Sequence, residues 1–403
     1  METPAYTTSA VISSCGADFH ARQRRRDHRR FAQTDQRLRS PIQYRSMKIV
    51  IIGSGIAGLS AAIALRSAGA TVIVYERAPE LTEVGAGISL WSNALRALDT
   101  IGVGAAVRER IESLRQTEFR GTNGHVIAAL FPASRLEQAL GHQPVIGMIH
   151  RAELVETLAG CIPHDVVRYG YELAAVQDRS DQVTVEFTNG HRDTADLVIG
   201  ADGIHSKVRS LLYGDSPPRY AGYTCFRGVT VLPSSIRPGH VAEWWGRGCR
   251  VGITTLRQER AYWWATVNAP QHLRIEAKQR WLLDKLSGWA DPVPELIAST
   301  PESAIHQNDI IDRRPDKHWY RGRCLLIGDA AHPTTPNLGQ GGGLAIEDAA
   351  CLLHLFTQAL PLDKLLRTFV ALRTGWDVRD SGAAMSHVGY ATASPSRFCP
   401  CSA

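Results

Sequence analysis

Residues 47–77 of this 403-residue chain read MKIVIIGSGIAGLSAAIALRSAGATVIVYER, and this stretch decides the fold. Its apolar, β-branched start, Met47–Ile52, predicts a buried strand. A helix is predicted to follow and to end at Gly69, and Thr71–Tyr75 predicts a second strand. A strand, a glycine-rich turn, a helix and a second strand in this order are typical of the βαβ unit that binds dinucleotides.

The turn between the first strand and the helix has the spacing Gly-x-Gly-x-x-Gly. Gly53 allows a tight turn, Gly55 lets a pyrophosphate approach the backbone, and Gly58 lets the helix pack against the strand. The N-terminus of the helix presents unpaired N–H groups and a positive dipole end to the phosphates. Glu76, at the end of the second strand, can accept hydrogen bonds from an adenosine ribose. The sequence therefore predicts a dinucleotide site at this turn.

The composition is that of an ordinary globular enzyme, with 44% hydrophobic and 21% charged residues. The length allows two lobes, and no run approaches the ~20 apolar residues that span a bilayer. The eight cysteines show no paired spacing, so we expect a reducing, cytoplasmic environment, no disulfide framework and no metal site. Cys399 and Cys401 are interpreted as two thiols in an irregular C-terminal tail, 381–403.

Residues 1–46 differ from the rest, because arginines are concentrated there and apolar periodicity is absent. A transit peptide and a nucleic-acid-binding arm are two functional interpretations. Acidic residues interrupt the segment, which disfavours a transit peptide. We therefore expect a disordered extension that binds no nucleic acid, with Met47 as an alternative start of the chain.

Two further stretches indicate a nucleotide site. A predicted strand over Ala195–Ile199 leads into the turn Asp202-Gly203. A second buried strand ends at Asp329, and a proline-rich loop and a glycine run then enter a helix near Gly341. Asp329 can hold a sugar hydroxyl, and the helix N-terminus suits an anionic aromatic ring such as a reduced isoalloxazine.

The region 216–315 is aromatic and strand-like, and it predicts a mixed sheet. Most of its aromatic side chains are expected in a core or on a sheet face, and a minority are expected to line a pocket for a flat substrate. Arg227 and Arg250 are spaced to reach the polar edge of such a substrate. Arg151, in the first turn of a predicted helix, opposes the helix dipole and is expected to face a phosphate or an adenine ring.

Together these stretches resemble the single-component (group A) FAD-dependent monooxygenases, the family of salicylate, hydroxybenzoate and urate hydroxylases, with zeaxanthin-epoxidase-like members. The resemblance covers about 47–379, with the motifs in the family's order and spacing. It implies an α/β fold in which a Rossmann-type FAD-binding domain carries an inserted mixed β-sheet substrate domain. The implied boundaries are 1–46 for the extension, 47–120, 145–215 and 316–380 for the discontinuous FAD-binding domain, and 121–144 and 216–315 for the substrate domain.

The resemblance also implies which residues form the site. Arg250 and Tyr262 would be the active-site pair, although both recur in relatives with other substrates. In that pair Arg250 would stabilise a substrate phenolate, and Tyr262 is a weak candidate for the base. Asp202 would serve both FAD and NAD(P)H. The implied FAD-binding residues are Gly53, Gly55, Ala57, Gly58, Glu76, Arg77, Ser89, Arg151, Asp202, Gly328, Asp329, Pro336, Gly339, Gln340, Gly341, Gly342 and Gly343.

The implied activity is hydroxylation of a small aromatic or heteroaromatic ring by a monomer or homodimer. NADH or NADPH would reduce FAD, O2 would then give a flavin C4a-hydroperoxide, and this species would transfer OH to the ring. An epoxidase or a flavin-dependent dehydrogenase on the same fold, and a non-catalytic flavin-binding protein, remain alternatives. His205 and His332 are interpreted as structural. The long helix that the family usually has after about Arg379 is not evident, which indicates a short member or a truncated C-terminus.

Overall fold

The predicted βαβ unit lies at the centre of a six-stranded sheet. In the computed structural model, which describes residues 44, 46–81, 86–130, 134–135, 138, 146–179, 181–358 and 360–374, strand β1 (Lys48–Ile52) pairs in parallel with β2 (Thr71–Glu76). Helix α1 (Ile56–Ser67) joins them and is buried along most of its length. The chain leaves this helix through Gly69, whose φ of +91° favours glycine.

The remaining elements follow in chain order, and a helical segment, 362–374, ends the described chain. The further strands are β3 (Gly87–Trp91), β4 (Glu112–Ser113), β5 (Gln116–Gly121), β6 (Val126–Ala129), β7 (Ile146–His150), β8 (Val167–Tyr169), β9 (Leu173–Asp178), β10 (Val183–Phe187), β11 (Arg192–Ala195), β12 (Leu197–Gly200), β13 (Arg219–Val231), β14 (His240–Gly246), β15 (Cys249–Leu256), β16 (Arg260–Asn268), β17 (His306–Asp312), β18 (Tyr320–Arg321) and β19 (Cys324–Leu326). The further helices are α2 (Ser92–Thr100), α3 (Gly104–Arg108), α4 (Arg151–Ala159), α5 (Lys207–Tyr213), α6 (Lys278–Lys285), α7 (Val293–Ala298) and α8 (Gly341–Phe356).

The six-stranded sheet has the order β18-β19-β12-β1-β2-β8 and is parallel apart from the β18–β19 pair. Because the carboxyl ends of parallel strands meet at one edge, the turns after β1, β12 and β19 lie together. The backbone shows this directly. The Ala201 N–H donates to the Ile52 carbonyl at 2.8 Å, and the Ile327 N–H donates to the Gly200 carbonyl at 3.0 Å. Three stretches that are far apart in sequence therefore share one ligand-binding edge.

A seven-stranded sheet, ordered β17-β13-β16-β15-β14-β5-β6, forms the second layer of strands. All its pairs are antiparallel except β14–β5. One face is apolar, with Phe226, Ile253 and Trp263 packed against Leu282 of α6 and Leu296 of α7. Since side chains alternate between the two faces, the other face carries a different set, which is described with the site below. The α/β fold with a parallel sheet and a mixed second sheet is confirmed.

The prediction of one return strand over Ala195–Ile199 is wrong. The segment forms two strands, of which β11 completes a hairpin with β10 and β12 joins the parallel sheet beside β1. Asp196 lies between them, and its carboxylate accepts a hydrogen bond from the Lys48 backbone N–H at 2.7 Å. This contact holds the chain at the point where it passes from one sheet to the other.

Two local sequence patterns predict helix ends that differ from the structure. The polar pair Ser92-Asn93 predicts an N-cap for α2, but its N-cap is Trp91 and no described side chain caps it. The Asn93 amide instead bonds to a loop distant in sequence, as described below. The sequence also predicts a helix over 273–286, but α6 is shorter, since its first turn begins at Lys278.

Two contacts lie close to the expected domain boundaries, which stay a prediction. Tyr44, which the expected boundary at residue 46 places in the extension, is buried, and its hydroxyl donates to the Leu360 carbonyl. Its ring lies 4.8 Å from that of Phe356. Strand β5 pairs with β14 of the seven-stranded sheet, although most of it precedes the boundary expected at residue 120. Residues 1–43 and 375–403, which hold most of the expected extension and the tail, lie outside the described residues.

Within the described residues, no helix is both long enough and apolar enough to cross a membrane. The same residues contain no group of His, Cys, Asp and Glu side chains that could hold a metal ion. The described cysteines Cys161, Cys225, Cys249, Cys324 and Cys351 are free thiols.

Candidate active site

The glycine-rich turn after β1 has one open position between two crowded ones. A Cβ atom on Gly53, whose φ is +103°, would lie 2.5 Å from the Ala201 carbonyl oxygen, and one on Gly58 would lie 1.9 Å from the Gly53 carbonyl oxygen. No atom of the described residues lies within 4 Å of the equivalent position on Gly55, which is the N-cap of α1. This open space at a helix N-terminus fits a pyrophosphate, since the first N–H groups of the helix point into it.

The Glu76 carboxylate is fixed beside this turn. One oxygen accepts hydrogen bonds from the Ser54 backbone N–H at 2.8 Å and from the Ser54 hydroxyl at 3.1 Å, and the other accepts from the Ala78 N–H at 3.0 Å. The carboxylate is therefore oriented before any ligand arrives. Arg77, predicted beside it, is exposed.

Asp329 and Arg151 lie close enough for their charges to affect each other. Asp329 follows β19 in the chain. Part of its surface is exposed to solvent, although its carboxyl lies deep among protein atoms. Burial raises the pKa of its carboxyl, while the charges of His332 and Arg151 lower it. Burial lowers the pKa of Arg151, while the charge of Asp329 raises it. An acid that lines a cleft in this way can bind sugar hydroxyls, as predicted for the ribityl chain.

Side chains of β3 and α2 form hydrogen bonds with the loop of residues 336–343. The Ser89 hydroxyl donates to the Gly339 carbonyl at 3.0 Å, and the Asn93 amide donates to the Gln340 side-chain oxygen at 3.1 Å. Gly339 has a φ of +63°, and a Cβ there would lie 2.3 Å from the Ser89 oxygen. Helix α8 begins directly after this loop, at Gly341.

The other predicted residues of this loop and helix show why glycine is needed for close packing. Ala57, in the first turn of α1, would be 2.7 Å from a Cβ on Gly328. A Cβ on Gly342 would lie 2.6 Å from Ile88, and one on Gly343 would lie 3.2 Å from Ala94. Pro336, at the start of the loop, is exposed.

The Asp202 carboxylate is hydrogen-bonded to protein groups at the start of α5. Its carboxylate accepts hydrogen bonds from the Ser206 hydroxyl at 2.6 Å and from the backbone N–H groups of Lys207 at 2.7 Å and Val208 at 3.1 Å. It therefore holds the N-terminus of α5, and burial raises its pKa. Contact between Asp202 and a cofactor stays a prediction. His205, next to this helix, is exposed.

A buried network behind Asp329 is centred on Asp348. Its carboxylate accepts the Gly328 N–H at 2.8 Å, contacts His332 Nε2 at 2.7 Å and accepts from Arg373 Nε at 2.7 Å. Burial raises the pKa of Asp348, but the charges of His332 and Arg373 outweigh that effect and hold the pKa below its usual value. His332 is thus held by a buried carboxylate, and the structural role expected for it stays a prediction. An acid in the apolar helix α8 is the sequence signal for this network, because a buried carboxylate needs partners.

On the facing layer, Arg250 is engaged by three groups. Its guanidinium lies 3.2 Å from the Glu243 carboxylate, donates to the Thr266 hydroxyl at 3.2 Å and donates to the Asn337 side-chain oxygen. The Tyr223 hydroxyl also donates to that oxygen, at 3.2 Å. Asn337 belongs to the loop of residues 336–343, so the seven-stranded sheet contacts the loop expected to hold the flavin ring. Glu243 was not predicted, and no local pattern marks it.

Tyr262 lies on the same face of the sheet as Arg250. It is buried in an apolar cluster with Leu114, Met148 and Leu256. A Cβ on Gly87 would lie 2.3 Å from its ring, so the chain passes close to it. Burial raises the pKa of Tyr262, and the positive charge of Arg227 only partly opposes this. A phenol of this kind is protonated at neutral pH, which disfavours the base role considered for it.

Most of the residues described above belong to two sets that meet where Asn337 contacts Arg250 and Tyr223, and we call these sets the two walls of the candidate site. The cofactor wall comprises the glycine turn, Glu76, Asp329, Arg151 and the loop of residues 336–343, and the substrate wall is the polar and aromatic face of the seven-stranded sheet. The cofactor wall fits FAD, because Gly55 leaves an open cradle at a helix N-terminus and the Asp329 carboxylate faces the cleft.

Known proteins match this chain over most of its length. A family model described as FAD binding domain matches residues 46–374. The aurachin C monooxygenase/isomerase of Stigmatella aurantiaca is 39% identical over 328 residues, covering 81% of this chain and 85% of that protein. The FAD-dependent urate hydroxylase of Klebsiella pneumoniae subsp. pneumoniae is 34% identical over 333 residues, covering 81% and 86%.

A solved structure gives the same result in three dimensions. The crystal structure of Klebsiella pneumoniae HpxO complexed with FAD and uric acid superposes with a TM-score of 0.81 at 32% sequence identity, covering 87% of this chain and 90% of that chain. The chain therefore belongs to the single-component FAD-dependent monooxygenase family, and its cofactor is FAD.

Proposed function

We propose that this chain is an NAD(P)H-dependent hydroxylase of a small aromatic or heteroaromatic substrate. The observation that carries the proposal is the substrate wall, in which Arg227, Arg250, Tyr223, Tyr262 and Trp264 share one face of the seven-stranded sheet. Flat aromatic side chains with a few polar groups are the usual lining of a site for a planar ring.

The relatives support a ring substrate. The Klebsiella pneumoniae relative is a urate hydroxylase, and the matching structure contains FAD together with uric acid. Uric acid is a planar heteroaromatic molecule, which suits a narrow cleft between a cofactor and an aromatic sheet face. The substrate of the present chain is a separate question, because Arg250 and Tyr262 do not select one ring.

Bound FAD supplies the redox chemistry, which is hydride acceptance from NAD(P)H and activation of O2 for transfer of one oxygen atom. The protein's residues place and shield the reactants. Gly55 and the α1 N-terminus receive the pyrophosphate, and Asp329 receives the ribityl hydroxyls. The cluster around Tyr262, Leu114 and Met148 excludes water beside the substrate wall.

The test is a spectrum of the purified protein followed by oxidation of NADH and NADPH in the presence of phenolic acids and purines. We expect flavin absorbance bands, oxidation that a ring substrate stimulates and that requires O2, and a product carrying one atom from ¹⁸O-labelled O2. The ratio of the two rates gives the preferred nicotinamide.

Three results would contradict the proposal. Substrate oxidation without incorporation of ¹⁸O would indicate a dehydrogenase, and an epoxide product would indicate an epoxidase. Protein that binds FAD but whose NAD(P)H oxidation no ring compound stimulates would indicate a flavin-binding protein without hydroxylase activity.

A further inference from the structure

A row of four aromatic side chains crosses the substrate wall and ends near the edge of the seven-stranded sheet. Residues that lie opposite each other in neighbouring strands share one face of the sheet. The pairing registers therefore place Tyr262 and Trp264 of β16 on the same face as Glu243 and Trp245 of β14. Phe119 of β5 lies opposite Glu243 on that face. Since neighbouring strands are ~4.8 Å apart, three strand intervals place β5 about 14 Å from β16.

Two tryptophan rings of this row are fixed by one carboxylate. A Cβ on Gly252 of β15 would lie 2.0 Å from the Trp264 ring, so the absent side chain leaves room for the indole to lie across that strand. The Trp264 N–H donates to one Glu243 oxygen at 3.3 Å, and the Trp245 N–H donates to the other at 2.6 Å. Because both indole N–H groups are bound within the protein, the two rings offer a ligand mainly their apolar surfaces.

The row leads from a buried end to an exposed end. At the inner end Tyr262 is 7% exposed, and its ring centroid lies 5.6 Å from that of Trp264. At the outer end Trp245 is 38% exposed, and its ring lies edge-on to Phe119 with the centroids 5.3 Å apart. Ala128 of the edge strand β6 lies opposite Phe119. A single exposed tryptophan is ordinary, but this one continues the aromatic lining of the proposed ring site.

The row offers a ligand no unbalanced charge. Glu243 is its acid, and its carboxylate lies 3.2 Å from the Arg250 guanidinium and accepts the two indole N–H groups. The Glu243 side chain is only 12% exposed. A charged ligand group would have to displace contacts that the protein already makes, whereas a hydrocarbon group needs none of them. The chemistry of the row therefore fits an uncharged, apolar occupant.

We propose that the outer part of this row, Trp245 with Phe119, binds a hydrocarbon substituent on the substrate ring. The site then selects aromatic or heteroaromatic rings that carry an apolar chain over the same rings without one. The inference rests on the proposed function, since it names the substrate class of that same site. Full burial of one CH2 group corresponds to a roughly fourfold gain in affinity. A chain that lies against one wall gains less, and we expect about twofold per CH2.

The test is a series of electron-rich rings that differ only in the length of an alkyl chain. The FAD-loaded protein is titrated with 4-ethylresorcinol, 4-butylresorcinol and 4-hexylresorcinol, and binding is followed by the change in flavin absorbance. We expect the affinity to rise with each added CH2 group and to be at least tenfold higher for the hexyl than for the ethyl compound.

Three variants locate this gradient. Trp245→Ala should weaken binding of the hexyl compound at least fivefold and that of the ethyl compound less than twofold. Trp245→Phe, which keeps an apolar ring at this position, should retain most of the gradient. Tyr213→Ala removes an aromatic side chain of α5 that is 37% exposed, almost the same as Trp245. It is the matched control and should leave the gradient unchanged.

Four outcomes would overturn the inference. The first is that no member of the series binds, and the second is that all members bind equally well to the unaltered protein. The third is a gradient that survives in Trp245→Ala. The fourth is an equal loss of affinity for the ethyl and hexyl compounds in Trp245→Ala, which would assign Trp245 to the ring site itself.

The titration needs no turnover, so it separates this inference from the proposed hydroxylation. A gradient lost in Trp245→Ala, without NAD(P)H oxidation that a ring compound stimulates, would support the chain-binding role and contradict the hydroxylase. Stimulated oxidation with the same KM for the ethyl and hexyl compounds would support the hydroxylase and overturn the role of Trp245.

Discussion

The two walls of the cleft differ in whether the protein itself supplies the partners of their charged groups. On the cofactor wall and directly behind it, the carboxylates of Glu76 and Asp348 already accept hydrogen bonds from the protein, and glycines fix the backbone at contact distance. On the substrate wall, Arg250 forms an ion pair with Glu243, whereas Arg227 forms none with any described residue. A wall whose polar groups are satisfied by the protein serves one cofactor, whereas a wall with an unpaired charge is completed by its ligand. Changes to the cofactor wall should therefore reduce stability or FAD binding, and changes to the substrate wall should alter ligand binding alone.

The largest expected effect is that of Asp348→Ala. Removing this carboxylate leaves Arg373 and His332 without their shared buried partner, which should cost about 4 kcal/mol of unfolding free energy. Denaturant unfolding of the FAD-free protein measures it. Asp363→Ala, which removes an exposed carboxylate paired with Arg367, is the control and should cost less than about 1 kcal/mol. Equal costs would show that the Asp348 network does not support the cofactor wall.

The same network gives a pH dependence. The pKa of Asp348 in the folded protein is below its usual value, and an unfolded Asp has a pKa near ~3.9. A carboxyl of this kind adds stability that is fully present above about pH 4 and is lost as the pH falls through the lower folded value. The stability difference between the unaltered protein and Asp348→Asn should therefore shrink on acidification, and a difference that grows would contradict this assignment.

Two glycines of one turn should separate folding from cofactor binding. Gly58→Ala brings a Cβ to 1.9 Å from a backbone oxygen and should destabilise the FAD-free protein by about 3 kcal/mol. The methyl group of Gly55→Ala meets no atom of the described part of the chain, so this variant should cost less than about 1 kcal/mol of stability. It should nevertheless weaken FAD binding about tenfold, or about 1.4 kcal/mol, because its methyl group occupies the proposed pyrophosphate cradle. Unchanged FAD affinity in Gly55→Ala would place the pyrophosphate elsewhere.

These differences also explain what the sequence could and could not predict. The glycine turn is contained in a few consecutive residues, so its spacing alone predicts the strand, the turn and the helix. The contact of Arg250 with Asn337 joins residues far apart in the chain and depends on the order of the strands, which alternation within one strand does not encode. The Ala195–Ile199 segment shows the same limit, because its change of sheet at Asp196 depends on Lys48 of a distant strand.

A smaller effect is expected where the two walls touch. Asn337→Ala removes the loop-side acceptor of Arg250 and Tyr223. Since a hydrogen bond to a charged group contributes about 1.5 kcal/mol, acids of the panel should bind roughly tenfold more weakly, with FAD affinity and stability nearly unchanged. Asn93→Ala, which frees the same loop from the cofactor side, is the control and should affect FAD affinity instead. If both variants had the same effect, Asn337 would serve only to hold the loop.

The smallest expected effect is that of Tyr262→Phe. Because burial raises the pKa of this phenol, the hydroxyl stays protonated between pH 6 and 9 in both the free and the ligand-bound protein, so its loss should not change the shape of the pH profile of kcat/KM. The variant loses the interaction of the hydroxyl oxygen with the Arg227 charge, which contributes about 1 kcal/mol, so the rate should fall about fivefold at every pH. Loss of the acidic limb of the profile in Tyr262→Phe would instead show that the phenol transfers a proton. The substrate wall would then take part in the chemistry as well as in ligand binding. The contrast between the two walls would fail at this residue.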